Sequence, residues 1–146
     1  LLAQHNHFCK VQTEDKFTLQ YMNWLGHHEF GLDQKTFILS DKDILNKMAA
    51  YKKTDINFWL LNWKNYYQYV NSNQPENSFF VQHETLCSDP VGVLTKVFTK
   101  LDIPVPLITE KPFTPPAKQV EGLNQDILNE CNLVYKELEA KFRTWY

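Results

Sequence analysis

The chain has 146 residues, 43% of them hydrophobic and 14% aromatic, which excludes intrinsic disorder and suits one domain spanning residues 1–146. A formal charge of -2 and a pI near 6.2 exclude a generally basic nucleic-acid or anionic-membrane binder. Phe58-Trp59-Leu60-Leu61 is as long as any uninterrupted apolar run, so no membrane span is expected.

Reading from the start, Leu1-Leu2-Ala3 is neither an initiator methionine nor a signal peptide, and suggests the interior of a longer protein. Phe17, Tyr21, Trp24, Leu25 and His28 recur at helical spacing and predict a helix over about residues 13–30, with Gly31 as its C-cap. That aromatic stripe is expected in the core. Ser40-Asp41-Lys42-Asp43 opens a short helix that buries Ile44, Leu45 and Met48. Thr54-Asp55 opens another, with a main stripe of Ile56, Trp59, Leu60, Trp63, Tyr67 and Val70 widened by Phe58, Leu61 and Tyr66.

The turn-rich stretch 71–77 precedes Ser78-Phe79-Phe80-Val81-Gln82-His83, which is expected to be a buried strand. A single strand needs neighbours, so its partners are expected before Leu1 or in another chain. Asp89-Pro90 then starts a helix with Val93, Leu94, Val97, Phe98 and Leu101 on one face. A Pro-rich loop runs from Pro104 to Leu123. The last helix, from Gln125 to about Trp145, is capped by Asn124 and buries Ile127, Leu128, Cys131, Val134, Tyr135, Leu138 and Phe142.

Chemistry-bearing patterns are few. His5-x-His7 and His27-His28-Glu29 have spacings that put no two ligands on one helical face, so no metal site is expected. Cys9, Cys87 and Cys131 are odd in number and form no CxxC, which favours a reducing, cytoplasmic compartment over a disulfide framework. None is expected to be a nucleophile: Cys131 falls on a buried stripe, and Cys9 and Cys87 show no adjacent His. Four isolated glycines make no phosphate cradle, and the only arginine is Arg143. The strongest signal is the run 79–90, in which a strand delivers His83-Glu84 at its carboxyl end shortly before an Asp-Pro helix start. Ligands of open α/β sheets gather at such strand ends.

This order of Phe79 to His83, Glu84, Leu86 and Asp89-Pro90, followed by an amphipathic helix ending in Leu101-Asp102-Ile103, resembles the PAPS-dependent sulfotransferases, whose corresponding strand commonly ends Tyr-Glu-Asp-Leu. The Trp-rich helix from Trp59 to Val70 is similar to the helix before that strand, and residues 5–29 to the helical region that follows the family's 3′-phosphate-binding Arg and Ser. The resemblance covers residues 1–103 and, more weakly, 123–142. It implies an α/β, P-loop-like fold, with this chain mostly helical around one strand near 78–83. It also implies sulfuryl transfer from 3′-phosphoadenosine-5′-phosphosulfate (PAPS) to a hydroxyl or amine on a small molecule, glycan or protein, without a metal. His83 stands where the family places a Tyr beside the adenine, and Glu84 matches a Glu of structural role. Lys111, Thr114 and Lys118 lie where members carry a second cofactor-binding loop. The 5′-phosphosulfate loop is expected upstream of Leu1, in the other half of the domain, and no residue here is identifiable as the general base. The alternative is a non-catalytic, aromatic-rich helical interaction module.

Overall fold

The computed structural model describes residues 1–39, 41–108 and 121–146. Among these described residues seven helices follow in order: α1 (Leu2–Glu14), α2 (Lys16–Trp24), α3 (Lys42–Ala49), α4 (Ile56–Ser72), α5 (His83–Ser88), α6 (Pro90–Lys100) and α7 (Gln125–Arg143). There is no strand among the described residues, so the expected α/β, P-loop-like architecture is corrected to an all-helical one. No helix among them is long and apolar enough to cross a membrane. The chain forms two compact units. One takes Leu1–Ser72 with α7 as far as Asn132; the other begins at Asn73 and takes Leu133–Tyr146.

The first unit is built on α4. Ile44 and Met48 of α3, Phe58, Trp59 and Leu61 of α4, and Ile127 and Cys131 of α7 form its buried cluster. Leu61 is fully buried, and Trp59 is only 2% exposed. Caps set the element boundaries. Asp41 accepts from the Asp43 and Ile44 amides at the start of α3, and Asp55 accepts from the Asn57 amide at the start of α4. Asn124 caps α7 while its own amide donates to the buried Asn57 Oδ1 at 2.8 Å. Asn57 Nδ2 donates to the Gly122 carbonyl, so one buried amide fixes the entry to α7 from both sides.

The helix expected over residues 13–30 is broken. Asp15 takes extended dihedrals, and its carboxylate accepts from the Phe17 amide at 2.9 Å and the Thr18 hydroxyl at 2.6 Å. A short carboxylate that bonds the backbone ahead of it ends one helix and starts another. The periodic stripe survives on α2 but faces outward, with Phe17 61% and Trp24 75% exposed. Gly31 is not a C-cap. It adopts a positive φ of 89° where its amide meets His5 Nδ1 at 3.2 Å, and the Leu32 amide meets Gln12 Oε1 at 2.7 Å. A Cβ on Gly31 would lie 2.2 Å from that Gln12 oxygen, so only glycine lets the turn seat on α1.

In the second unit α5 and α6 follow one another directly. Asp89 accepts from the Gly92 amide and Pro90 occupies the first turn of α6, as the Asp-Pro pair predicts. Buried Val134, Leu138 and Phe142 continue the apolar stripe of α7, and Cys87 and Val93 are buried on α5 and α6. The expected strand at 78–83 is corrected. Residues 78–82 form no ladder, and His83 is already the first residue of α5. A strand satisfies its backbone only against a neighbour. Here side chains serve instead: Trp145 Nε1 donates to the Phe80 carbonyl at 2.9 Å and Gln74 Nε2 to the Ser78 carbonyl.

Candidate functional site

The segment singled out by sequence, residues 79–90, is held in the second unit by the far half of α7. Gln82 is the hub. Its Nε2 donates to the Tyr135 hydroxyl at 2.9 Å and to Glu139 Oε1 at 3.3 Å, while its Oε1 accepts from the Thr85 hydroxyl at 2.6 Å. Tyr135 in turn donates to Glu84 Oε2 at 3.0 Å. Burial, followed by the carboxylate contact with Glu84, pushes the Tyr135 phenol above its ordinary range, so it remains a donor at neutral pH. Glu84, the second half of the His83-Glu84 pair, is thereby tied to α7.

His83 is exposed at the start of α5, with Nε2 3.4 Å from Cys87 Sγ one turn later. The same pairing occurs in the first unit, where His5 Nε2 is 3.5 Å from Cys9 Sγ. Both pairs are spaced i, i+4 and share a helical face, so the expectation that Cys9 and Cys87 lack an adjacent His is corrected. The signal was in the sequence; it was hidden at Cys87 by assigning His83 to a strand. The pairing does not activate Cys9. His5 Nδ1 accepts from the Gly31 amide, which leaves the proton on Nε2, and burial followed by the nearby Lys53 lowers the His5 pKa. Burial pushes the Cys9 thiol up, and pushes Cys131 up to about 11 where its Sγ donates to the Leu60 carbonyl. These are inert thiols.

Arg143 pairs with Glu139 at 2.8 Å. Lys111, Thr114 and Lys118, the other predicted cofactor contacts, lie outside the described residues. His7, Glu29 and His28 belong to the first unit and His83 to the second. Among the described residues no group of three His, Cys, Asp or Glu side chains could hold a metal ion.

The hub residues Gln82, Thr85, Tyr135 and Glu139 were not anticipated. Tyr135 lies about 50 positions from Glu84 on a stripe that reads as core, and no local pattern couples the two. A cleft of about 410 Å³ beside α4, lined by Glu29, Phe30, Gln34, Trp63, Tyr66 and Tyr67 among others, was also missed, because its rim is an irregular segment. No protein family, no curated protein and no solved structure matches this chain.

Proposed function

We propose that this chain serves a PAPS-dependent sulfotransferase acting on a hydroxyl or amine acceptor in the cytoplasm, where its three free cysteines suit a reducing environment. The observation that supports the reading is the arrangement of residues 78–90. An extended run leads into His83-Glu84, Glu84 is anchored through Tyr135, and an Asp89-capped helix beginning with Pro90 follows. The residue order is the one on which the resemblance rests, whereas the strand that belongs to it is absent and His83-Glu84 open α5 instead. His83 is exposed at the start of α5 and stands, by the resemblance, in the place of the residue beside the adenine. The described residues supply no phosphate cradle: the glycines are dispersed and Arg143 is engaged by Glu139. In this reading the described residues serve the adenine end of the donor, and no catalytic step is assigned to them. Sulfuryl transfer depends on positioning and charge stabilisation, as phosphoryl transfer does, so the reading requires that cradle from outside the described residues.

Calorimetric titration of 3′-phosphoadenosine-5′-phosphate into the longest expressible form of the protein, with the 146-residue chain alongside, tests it. Micromolar binding by the longer form that is lost in His83→Ala is the expected result. Absence of binding to both forms removes the proposal.

A second reading, the helical interaction module, is favoured by one observation: Phe17, Tyr21, Trp24 and Leu25 leave an apolar stripe exposed along α2. Cooperative unfolding of the isolated 146-residue chain as a monomer, without nucleotide binding, selects it.

A further inference from the structure

The aromatic stripe of α2 is left in water. Phe17 is 61%, Tyr21 49%, Trp24 75% and Leu25 53% exposed, and the Phe17 and Tyr21 rings stack with centroids 5.8 Å apart. The other side of the same helix is engaged with α1, where Met22 Sδ accepts from Gln12 Nε2 at 3.1 Å. A contiguous exposed face of three rings and a leucine marks an interaction surface rather than scattered surface apolar residues. Taking about 200 Å² for an aromatic side chain, the exposed fractions leave roughly 500 Å² per copy, Leu25 included. Two copies face to face then cover about 1,000 Å², the threshold of a specific, weak interface.

The charges beside the stripe specify the occupant and its direction. Lys16 and Asn23 lie two turns apart on one flank of the stripe. Asn23 Nδ2 donates to Asp33 Oδ2 at 2.6 Å, which fixes that carboxylate at the far end of the flank. One end of the flank thus carries a cation and the other an anion. The neighbouring charges are engaged: Asp15 caps α2, Glu14 lies 3.9 Å from Lys10, Glu29 3.7 Å from His27, and Lys35 3.3 Å from His28. Lys16 makes no ion pair among the described residues. When two copies of a helix pair antiparallel about a two-fold axis, the same flank of each meets, running in opposite directions. Lys16 of each copy then faces Asn23 and Asp33 of the other, and the Phe17 end of one stripe covers the Trp24 end of the other. A parallel pair sets unlike flanks together and leaves both charges unmatched.

We infer that the α2 stripe is the interface of a symmetric homodimer of this chain, with the two α2 helices antiparallel and flanked by two Lys16–Asp33 ion pairs between the copies. The association needs neither PAPS nor sulfuryl transfer, so it and the nucleotide titration succeed or fail separately. An interface at the low end of the size range is expected to hold with a Kd of about 100 µM, so the dimer is dissociated in dilute solution.

The test is sedimentation equilibrium of the 146-residue chain from about 10 to about 500 µM, with the longest expressible form of the protein alongside. Both are expected to pass from monomer to dimer over that range. Trp24→Glu, at the most exposed ring of the stripe, is expected to keep the chain monomeric throughout. Lys16→Glu and Asp33→Lys each set like charges together at both ends of the interface and are expected to weaken the dimer about tenfold. An equimolar mixture of those two variants is expected to restore it, because each then opposes a charge of the other sign. A monomer at every concentration overturns the inference, as does a dimer indifferent to Trp24→Glu, or a mixture no tighter than either charge variant alone. Dimerisation of the 146-residue chain that the longer form lacks also overturns it, and assigns the stripe to another segment of the protein. Circular dichroism melts establish that each variant folds; should Trp24→Glu fail to, the mixed charge variants still decide.

Discussion

The two units solve the same problem with different materials. In the first, a long helix buries its own apolar face, and the buried polar side chains are fastened one by one: His5 and Gln12 on the turn at Gly31, Asn57 on the entry to α7. In the second, the segment 78–82 has no ladder, so the Trp145 and Gln74 side chains reach the Phe80 and Ser78 carbonyls that a neighbouring strand would satisfy, and Gln82 is joined to Tyr135. An α-helix closes its hydrogen bonds within itself, whereas an extended segment depends on whatever lies beside it.

The sharpest break comes from the first unit's centre. Trp59→Ala is expected to cost about 3–5 kcal/mol in urea unfolding, because it removes both the ring wall and the Lys53 carbonyl's partner. A loss below about 1 kcal/mol would mean that α4 is not the centre of the unit. Asn57→Ala is expected to cost about 2 kcal/mol, since it strands the Gly122 carbonyl and the Asn124 amide together. In the second unit Asp89→Ala removes the cap of α6 and the acceptor of the Tyr146 hydroxyl, for about 1 kcal/mol. Asp89→Asn, which can still cap, should recover most of that loss.

Acid should discriminate between the units more gently. Burial lowers the His5 pKa below its ordinary 6.5, so the unfolded chain binds this proton more readily than the folded one. The stability tied to neutral His5 is fully present above about pH 6.5 and declines as pH falls from there toward the lowered folded value. Thermal melts between pH 7.5 and 5 should therefore show a descent that flattens in His5→Gln. The smallest effect is expected at Glu130, which bonds Lys47 at 2.8 Å and Lys64 at 2.6 Å. Those bonds depress its carboxyl pKa, so their contribution is present above its ordinary 4.5 and is lost as pH falls through the folded value. Glu130→Gln is expected to cost below about 1 kcal/mol at pH 7 and to remove that acid-side loss.

The same contrast explains what could be read from sequence. The helices at Lys42–Ala49, Ile56–Ser72, Pro90–Lys100 and Gln125–Arg143 were legible because cap and stripe are both local. Asp15 was passed over because the stripe Phe17, Tyr21, Trp24 runs on beyond it, and periodicity cannot say whether a stripe is buried. Phe79 to His83 has strand composition, but composition does not supply a neighbour. His83 was found as a candidate. Tyr135 was not, since it is joined to its partner across the chain.

The division of α7 has a practical consequence. Because its first turns complete the cluster around Trp59 and its last turns belong with α5 and α6, neither unit corresponds to one continuous stretch of gene. A stop codon after Ser72 deletes Ile127 and Cys131 from the cluster it was meant to isolate. Shorter expression products of this protein are therefore better made by circular permutation, or by co-expressing a residue 1–72 fragment with a separate α7 peptide, than by cutting at the apparent boundary.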